Sequence, residues 1–228
     1  MPITKVDPAI LETLRQYDSA TVQNAAILAR GYIPEGQDYS GPDLRHLTAE
    51  SETVVGYAMT STWMPLHEPL RATANRDAFY DSIADVDAPV VVVLQDIDIP
   101  PRRGAIIGDG MAYMMRAMGA VGAVTDGNAR DIPGIEKAGL RLWATGRVPG
   151  HGPFTLVTCS EPVTVANLRI LQGDILVCDA DGVTRVPVDI AAKVAEKCAE
   201  VREKESKMHR YFTARDFSVE KWRKERGR

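Results

Sequence analysis

Apolar positions near the start of the chain recur at helical spacing and then at strand spacing. Residues 8–16 and 20–30 are predicted to form short helices, and Gly31 is placed to end the second. A β-branched segment at 53–60 predicts a strand. The two prolines within 63–69 predict a loop. The first third of the chain is therefore expected to combine two helices with one strand.

The middle of the chain alternates between short strands and short helices. Strands are expected at 90–94, 105–107, 121–125 and 141–144, and helices at 77–83, 111–118 and 132–138. The helix 111–118 carries four methionines on one face, which favours a place in the core. Two successive strand-helix-strand units predict parallel neighbouring strands with right-handed crossovers. The loops after Ile107 and Thr125 should therefore lie at one edge of a sheet.

The last third changes to β patterning and ends in a helix. Strands are predicted at 155–158 and 163–165, followed by a hairpin between 175–178 and 183–186. A long helix is expected from Asp189 to the end.

Composition places the chain among globular proteins with one domain, residues 1–228, and a helical extension from about 189. It has 228 residues, 45% of them hydrophobic and 25% charged. The longest aliphatic run, Val90 to Leu94, is too short for a membrane span, and the first twenty residues do not resemble an export signal. Three widely spaced cysteines without a CxxC pair favour the reducing cytoplasm. They are Cys159, Cys178 and Cys198.

Charge is unevenly distributed along the chain. The net charge is -4, which works against duplex DNA as a partner. Residues 193–228 contain twelve Lys and Arg against seven Asp and Glu, so this tail carries about +5 and residues 1–192 about -9. The tail should favour an acidic surface, and the acidic body of a second copy of the chain is the simplest such surface.

Polar residues follow two of the predicted strands, where open parallel sheets usually bind ligands. Asp109 opens a helix, so the free N–H groups of Gly110 and Met111 could hold an anion such as a carboxylate. Arg130, in the second loop, could bind the same anion through two hydrogen bonds. Alternatively, Arg130 is only a surface ion-pair partner.

Carboxylates in the same loops suggest a hard divalent cation. Asp109, Asp126 and Asp131 offer oxygen ligands suited to Mg²⁺, which keeps several waters and takes one or two carboxylates. Asp131 could instead simply cap the helix that follows it. The loops lack GxxxxGK[ST] and a complete GxGxxG, so neither a nucleoside triphosphate nor a dinucleotide is indicated.

Several segments together resemble a known family over roughly residues 18–208. The segments are Thr21-Val22-Gln23-Asn24-Ala25, Val54-Val55-Gly56-Tyr57-Ala58, Gly108-Asp109-Gly110-Met111-Ala112 through Gly119, Gly122-Ala123-Val124-Thr125-Asp126-Gly127, Arg130-Asp131, Gly173-Asp174-Ile175-Leu176-Val177, Asp179 and Asp181-Gly182-Val183. In this order they resemble the family that joins the RNase E regulator RraA to the 4-hydroxy-4-methyl-2-oxoglutarate aldolases. The combined pattern is specific, although no single segment is.

The resemblance implies an α/β fold of the β/β/α swivelling type, an α-β-β-α sandwich with a long C-terminal helix. It also implies homotrimers or homohexamers with sites between subunits, and a bound Mg²⁺, Mn²⁺ or other divalent metal. In this interpretation Asp131 binds the metal directly and Asp109 acts through metal-bound water. Arg130, with the amides of Gly110 and Met111, grips the pyruvyl carboxylate.

One departure from the family pattern and one agreement with it bear on function. The family usually has two leucines where this chain has Gly110-Met111. The backbone amides remain, but pocket shape and substrate are put in question. Family members that act as protein regulators often lack the acidic residue after the arginine. Asp131 is present here, which favours chemistry.

A carboxylate lies on the apolar face of the last helix. Val194, Cys198, Val201, Met208 and Phe212 form one stripe, and Glu205 lies on it, so this side chain should point toward a cation or an arginine. The resemblance similarly implies a glutamate from a neighbour's C-terminal helix over the metal. The alternative is a salt bridge between subunits.

The resemblance therefore implies a class II, metal-dependent lyase that cleaves a 4-hydroxy-2-oxo acid to pyruvate through an enolate, with possible oxaloacetate decarboxylation. The alternative is a ring-shaped regulator without chemistry, similar to an RNase E inhibitor. Lys137 is on a short, solvated helix, which does not favour a Schiff base. The four histidines have no metal-binding spacing and are expected in loops or at the surface. Neither nucleic acid nor a membrane is expected as a partner.

Overall fold

The computed structural model describes residues 3–34, 36, 38–49, 52–65, 74–152 and 154–226. The helices are α1 Pro8–Arg15, α2 Ser19–Arg30, α3 Arg76–Ala84, α4 Asp109–Ala117, α5 Ile132–Ala138, α6 Ala191–Thr213 and α7 Val219–Glu225, with a 3-10 turn at Val188–Ile190. The strands are β1 Arg45–His46, β2 Val54–Pro65, β3 Val90–Asp96, β4 Ala105–Ile107, β5 Ala120–Thr125, β6 Asn128–Ala129, β7 Arg141–Ala144, β8 Gly146–Arg147, β9 Phe154–Cys159, β10 Val163–Val165, β11 Leu168–Ile170, β12 Ile175–Asp179 and β13 Gly182–Val186. In these residues no helix is long and apolar enough to span a membrane.

The main sheet has eight strands around a long central strand, β2. Its order is β1-β7-β5-β3-β2-β12-β13, and β9 pairs with the second half of β2. Strands β2, β3, β5 and β7 run parallel, whereas β12 and β9 are antiparallel to β2. The mixed α/β fold with a long C-terminal helix is thus confirmed.

The two faces of the main sheet are covered differently. Val90, Val92 and Leu94 of β3 point into a large core shared with the helices. Val91 and Val93 point into a smaller core that the β10-β11 hairpin covers. The continuous apolar run of β3 follows from burial on both faces.

The first two helices confirm the sequence pattern and show its physical basis. The Asp18 carboxylate accepts a hydrogen bond from the Thr21 amide at 2.7 Å and so caps α2. Gly31 ends the same helix with φ 82°, a left-handed conformation that glycine adopts without strain. The capping residues in the sequence therefore predict both ends of α2 correctly.

The prediction of a loop at 63–69 is wrong for residues 63–65. Strand β2 continues through Trp63 to Pro65 and pairs with β9, with Trp63 opposite Leu156. Trp63 is 1% exposed, and its indole N–H donates to the Ser61 hydroxyl at 2.9 Å. Tertiary pairing overrides the proline signal because Pro65 is the last residue of the strand. Residues 66–69 lie outside the described part.

The expected topology of the middle region needs one correction. β4 does not join β5 in the main sheet. It belongs to a separate parallel sheet of three strands, β4-β6-β8, in which Ile107 lies opposite Ala129. Strand β6 has only two residues, which is too short for its pattern to be recognised. This small sheet determines which of the predicted loop residues meet.

The C-terminal helix is buried only along its first half. Val194, Cys198 and Val201 are in the core, against α1 and α2. Farther along the same stripe, Met208 is 50% and Phe212 46% exposed. The chain then turns back into α7, which the sequence pattern did not predict. Phe212 contacts Trp222 of α7 and also Phe217 in the turn between the two helices.

Candidate active site

The first turn of α4 presents free backbone donors. Gly108 is the N-cap and makes no side-chain capping bond, and Asp109 is the first helical residue. The N–H groups of Gly110 and Met111 have no acceptor among the described residues, as expected for the first turn of a helix. Together with the positive end of the helix dipole they can bind an anion.

Arg130 and Asp131 come directly after β6, beside this helix start. The Arg130 amide donates to the Ile107 carbonyl at 3.1 Å, which extends the β4-β6 pairing to the edge of the small sheet. The Arg130 Nε atom lies 3.2 Å from Oδ2 of Asp131. Arg130 therefore does form an ion pair, with its own neighbour in the sequence.

Asp131 occupies the N-cap position of α5 but does not cap it with its side chain. The amides of Gly134 and Ile135 bond instead to the Asp131 carbonyl oxygen, at 2.8 and 3.0 Å. Asp131 has φ 55°, which is uncommon for a residue with a side chain and often marks a functional position. Its carboxylate remains 45% exposed. The simple capping role is thus not observed.

Two glycines leave room for the side chains of Asp109 and Asp131. A Cβ atom on Gly134 would lie 2.8 Å from Oδ2 of Asp109, so the Asp109 side chain packs against the bare backbone of α5. A Cβ atom on Gly108 would lie 3.2 Å from Oδ2 of Asp131. The loops after β4 and β6 therefore bring Asp109 and Asp131 to the edge of the small sheet, whereas the sequence pattern predicted a shared edge for the loops after β4 and β5.

A cavity of about 330 Å³ opens beside these residues. It contains four of the predicted site residues, Asp109, Gly110, Met111 and Arg130. Its other lining residues are Trp63, Arg76, Ala105, Ile106, Gly108, Met114, His151, Gly152 and Phe154. Its volume is within the range of small-molecule sites.

Several cavity residues were missed because they come from distant parts of the chain. Trp63 is on β2, Arg76 begins α3, and His151 lies between β8 and β9. No local motif connects them. His151 is exposed, as expected for a loop histidine, but it lies in the cavity wall. The expectation that all four methionines of α4 are in the core is wrong for Met114, which is largely exposed and lines the cavity.

Asp126 lies apart from this site, contrary to the expectation that it shares a cation with Asp109. Its Oδ1 accepts a hydrogen bond from the Asp96 amide at 2.8 Å, and it lines a different cavity together with Arg102 and Asn167. Strand β6 separates Asp126 from Arg130. Burial, with a smaller contribution from the negative charge of Asp96, raises the pKa of Asp126 to about 6.

Four other residues considered in the sequence lie outside the cavity or are chemically inert. Glu205 is half-buried on α6 and is not among the cavity-lining residues of its own chain. Lys137 is exposed near the end of α5 and is likewise outside the cavity. Burial raises the pKa of Cys198 to about 11, and that of the buried Cys178 is also raised, which makes these thiols poor nucleophiles.

The donor set of the site is compatible with Mg²⁺ or Mn²⁺. No group of three or more His, Cys, Asp or Glu residues positioned for a metal occurs in the described part of the chain. Mg²⁺ usually takes only one or two protein carboxylates and completes its shell with water and substrate oxygens. Asp109 and Asp131 supply that number, and neither carboxylate accepts a hydrogen bond from an amide among the described residues.

Comparison with known proteins identifies the family of this chain. A family model described as RraA-like (Aldolase/RraA) matches residues 20–185. The chain belongs to the RraA-like family. The matched range includes Asp109, Arg130 and Asp131 but ends before Glu205.

Individual relatives of this RraA-like protein are more distant. A protein from Halalkalibacterium halodurans, whose provisional name is 4-hydroxy-4-methyl-2-oxoglutarate aldolase, is 29% identical over 150 residues, which are 61% of this chain and 70% of that protein. The crystal structure of Streptomyces coelicolor RraAS2, called an unusual member of the RNase ES inhibitor RraA family, has a TM-score of 0.74 at 23% identity, covering 91% of this chain and 99% of that one.

A second solved structure shows the same fold. An uncharacterised protein from Pseudomonas syringae pv. tomato has a TM-score of 0.72 at 23% identity. The superposition covers 98% of this RraA-like chain and 99% of the Pseudomonas chain. Both structures therefore support the architecture described above.

Proposed function

We propose that this protein is a carbon-carbon lyase that uses a divalent metal to cleave a 4-hydroxy-2-oxo acid to pyruvate. The observation that carries the proposal is the convergence of Asp109, Arg130, Asp131 and two free amides at the edge of the small sheet. The provisional aldolase name of the relative from H. halodurans supports the same activity.

The carboxylate of the substrate would be held between Arg130 and the first turn of α4. The guanidinium supplies charge-assisted hydrogen bonds, and the Gly110 and Met111 amides supply two more donors. These contacts orient the 2-oxo group. They place C2 beside the carboxylates at the sheet edge, so that positioning contributes to catalysis.

Asp131 would hold the metal directly and Asp109 through water, with Mg²⁺ as the first candidate. When bound, the metal would supply Lewis-acid stabilisation of the charge that develops on the C2 oxygen as the C3–C4 bond breaks. Arg130 stays near Asp131 and so stabilises the negative charge of the same region.

Proton transfer would involve Asp109 and cavity water. Asp109 lies in the cavity, and no group among the described residues hydrogen-bonds to its carboxylate. It can therefore accept a proton from the 4-hydroxyl group through water and return it to C3 of the product. Lys137 is outside the cavity, so the geometry gives no support to a Schiff base.

The catalytic assembly is proposed to be a homotrimer or homohexamer in which Glu205 of one subunit completes the site of another. Exposure of Met208 and Phe212 beyond the buried half of α6 supports an intersubunit role for this segment. Glu205 would then hold or move a proton near the substrate. The opposite charges of tail and body favour the same docking.

The direct test is pyruvate release from a panel of 4-hydroxy-2-oxo acids and oxaloacetate, with Mg²⁺, with Mn²⁺ and with EDTA. We expect release with metal and its loss with EDTA. Borohydride added with substrate should not trap a covalent adduct. Inactivation by borohydride at Lys137, together with full activity in EDTA, would contradict the metal assignment.

The competing function is a regulator that masks a nuclease and performs no chemistry. Asp131 distinguishes the two functions, because its exposed carboxylate is not needed to cap α5. In a lyase, Asp131→Asn should abolish pyruvate release. In a regulator, inhibition of a partner nuclease should persist in this variant and pyruvate release should be absent from the wild type.

A further inference from the structure

A second cavity, of about 440 Å³, lies apart from the candidate active site. It is formed by the end of α2 with the loop that follows, the β10-β11 hairpin, strand β13 and the turn before α6. Its walls carry three arginines, Arg30, Arg169 and Arg185, and two aspartates, Asp38 and Asp189. None of these residues lines the cavity at the start of α4, so the proposed lyase reaction does not use them.

A buried ion network forms one wall of this second cavity. The Asp38 side chain is 4% exposed, and its Oδ2 and Oδ1 lie 2.5 Å from Nη1 of Arg30 and 3.3 Å from Nη2 of Arg185. Nη1 of Arg185 lies 3.4 Å from Oδ2 of the buried Asp174. Burial of four charges has a hydration cost that often exceeds their attraction, and apolar side chains can replace such networks without loss of stability. Stability alone therefore does not explain these charges.

The two guanidiniums of the network keep unused hydrogen-bond donors. A guanidinium has five N–H groups. Among the described residues Arg30 donates one side-chain hydrogen bond, to Asp38, although its side chain is only 11% exposed. The Nε atom of Arg185 is buried and has no partner there. Asp38 thus fixes both guanidiniums, and Arg30, which lines the cavity, retains donors for an anionic group inside it.

Two further charges of opposite sign line the same cavity. Arg169 on β11 and Asp189 in the 3-10 turn are both exposed. In the part of the chain that the structure describes, neither forms an ion pair, with the other or with a third residue. The cavity also has apolar lining, from Tyr32 and Ile190 among others. A ligand that matches this cavity therefore needs a negative group, a positive group and an apolar part.

We propose that this cavity binds a free α-amino acid with a large apolar side chain, such as leucine, in its zwitterionic form. The carboxylate lies between Arg30 and Arg169, and the ammonium group lies at Asp189. The side chain of the ligand packs against Tyr32 and Ile190. Charge-assisted hydrogen bonds at both ends supply affinity and orientation, and the volume is within the range of small-molecule sites. An inorganic anion would leave Asp189 unmatched, and a simple amine would leave Arg169 unmatched.

Calorimetry with the full chain tests both charges by comparing leucine with two analogues of similar size. 4-Methylpentanoate lacks the ammonium group, and 3-methylbutan-1-amine lacks the carboxylate. Leucine should bind at least ~10-fold more tightly than either analogue, because each analogue lacks one charge-assisted contact.

Two variants assign the charges to their residues. Arg169→Gln should lower the affinity for leucine ~10-fold or more without weakening binding of the amine, and Asp189→Asn should do the same without weakening binding of 4-methylpentanoate. Arg45→Gln and Asp181→Asn make the same changes at exposed positions outside the cavity and should leave leucine binding unchanged. Thermal unfolding of each variant separates a folding defect from a loss of binding.

Several results would overturn the proposal. Equal binding of leucine and 4-methylpentanoate would mean a plain anion site. Failure of every amino acid with a large apolar side chain to bind at millimolar concentration would reject the site altogether. Arg130→Ala should leave leucine binding unchanged, and if this variant weakens it while Arg169→Gln does not, the amino acid binds at the start of α4 instead. The test measures no pyruvate release, so its outcome is independent of the proposed lyase function.

Discussion

Arg130 is the residue on which substrate binding should depend most. Its guanidinium lies at the junction of the cavity, the Asp131 carboxylate and the start of α4. We expect Arg130→Ala to lower kcat/KM for every oxo-acid substrate by at least ~10-fold, since a charge-assisted hydrogen bond contributes about 1.5 to 3 kcal/mol. Steady-state pyruvate assays measure this, with Arg116→Ala as the control. Kinetics equal to those of the wild type would show that the carboxylate is bound elsewhere.

Asp126 should make stability depend on pH. The pKa of its carboxyl group is about 6 in the folded protein, against an ordinary value of 3.8, so the folded state holds the proton more tightly than the unfolded chain. The free energy of unfolding therefore falls as the pH rises from about 4 to about 6, and the loss persists above that range.

Replacement of this carboxyl group by an amide should remove the effect. Asp126→Asn keeps the acceptor for the Asp96 amide and cannot ionise. We expect it to exceed the wild type by about 1 to 3 kcal/mol in the free energy of unfolding at pH 7.5, and by about a third as much at pH 4.5. Urea unfolding at both values measures the difference. If the two proteins differed by the same free energy of unfolding at both pH values, ionisation of Asp126 would not be the cause of the difference.

The location of a residue could be predicted where the strand and helix pattern determines it. Asp109, Arg130 and Asp131 each follow a short strand, so the order of strands and helices is enough to bring them to one side of the sheet. Arg76 and Trp63 enter through pairing of β2 with β9 and the placement of α3, which no local pattern encodes. Asp126 was misplaced because a two-residue strand diverts the chain after it.

At the scale of elements, the contact between α4 and α5 supports the site. Gly134 in α5 is normally a position where alanine would stabilise a helix by about 0.5 to 1 kcal/mol. Here an added Cβ atom would lie 2.6 Å from Cβ of Asp109. Gly134→Ala should therefore displace Asp109 and lower kcat more than 10-fold without unfolding the protein.

Gly110→Ala provides the matched control in α4. A Cβ atom there meets no atom within 4 Å, and the backbone amide is retained. We expect this variant to fold and to keep pyruvate release within about 2-fold, because the helix gains propensity and the anion donors remain. Circular dichroism and kinetics of the two variants test the pair. An active Gly134→Ala protein would show that the position of Asp109 is not critical.

The longer elements were predictable, and the short or tertiary ones were not. Helix α2 has a capping residue, an apolar face and a terminal glycine, all visible in the sequence. The β12-β13 hairpin likewise has a recognisable turn sequence between its strands. Strands β6 and β8 have two residues each, which is too few for a period to show. The end of β2 depends on β9, which lies about ninety residues later in the chain.

At the scale of the whole molecule, the exposed half of α6 should determine assembly. A chain ending after Ser206 keeps Glu205 and the buried residues Val194, Cys198 and Val201, so its core remains complete. It loses the exposed Met208 and Phe212. We expect a smaller oligomer and loss of activity, measured by light scattering and the pyruvate assay. An active monomer would contradict a site shared between subunits.

Glu205→Gln tests the charge without changing the assembly. The variant should retain the oligomer of the wild type and lower kcat, because shape is conserved and only the carboxylate is lost. Full activity would reduce Glu205 to a structural residue. The position of this glutamate on the stripe could be inferred from periodicity, but its partner could not, because the described chain alone leaves it half-buried on α6.

The central strand β2 also sets the order in which the chain can be completed during synthesis. Its partners are β3, which follows closely, and β9 and β12, which are translated about ninety to one hundred and twenty residues later. Until then one edge of β2 has no partner, and an open strand edge is prone to associate with other chains. Slow translation or early termination before Asp179 would therefore yield a nascent polypeptide that depends on chaperones, although the finished protein does not expose this edge.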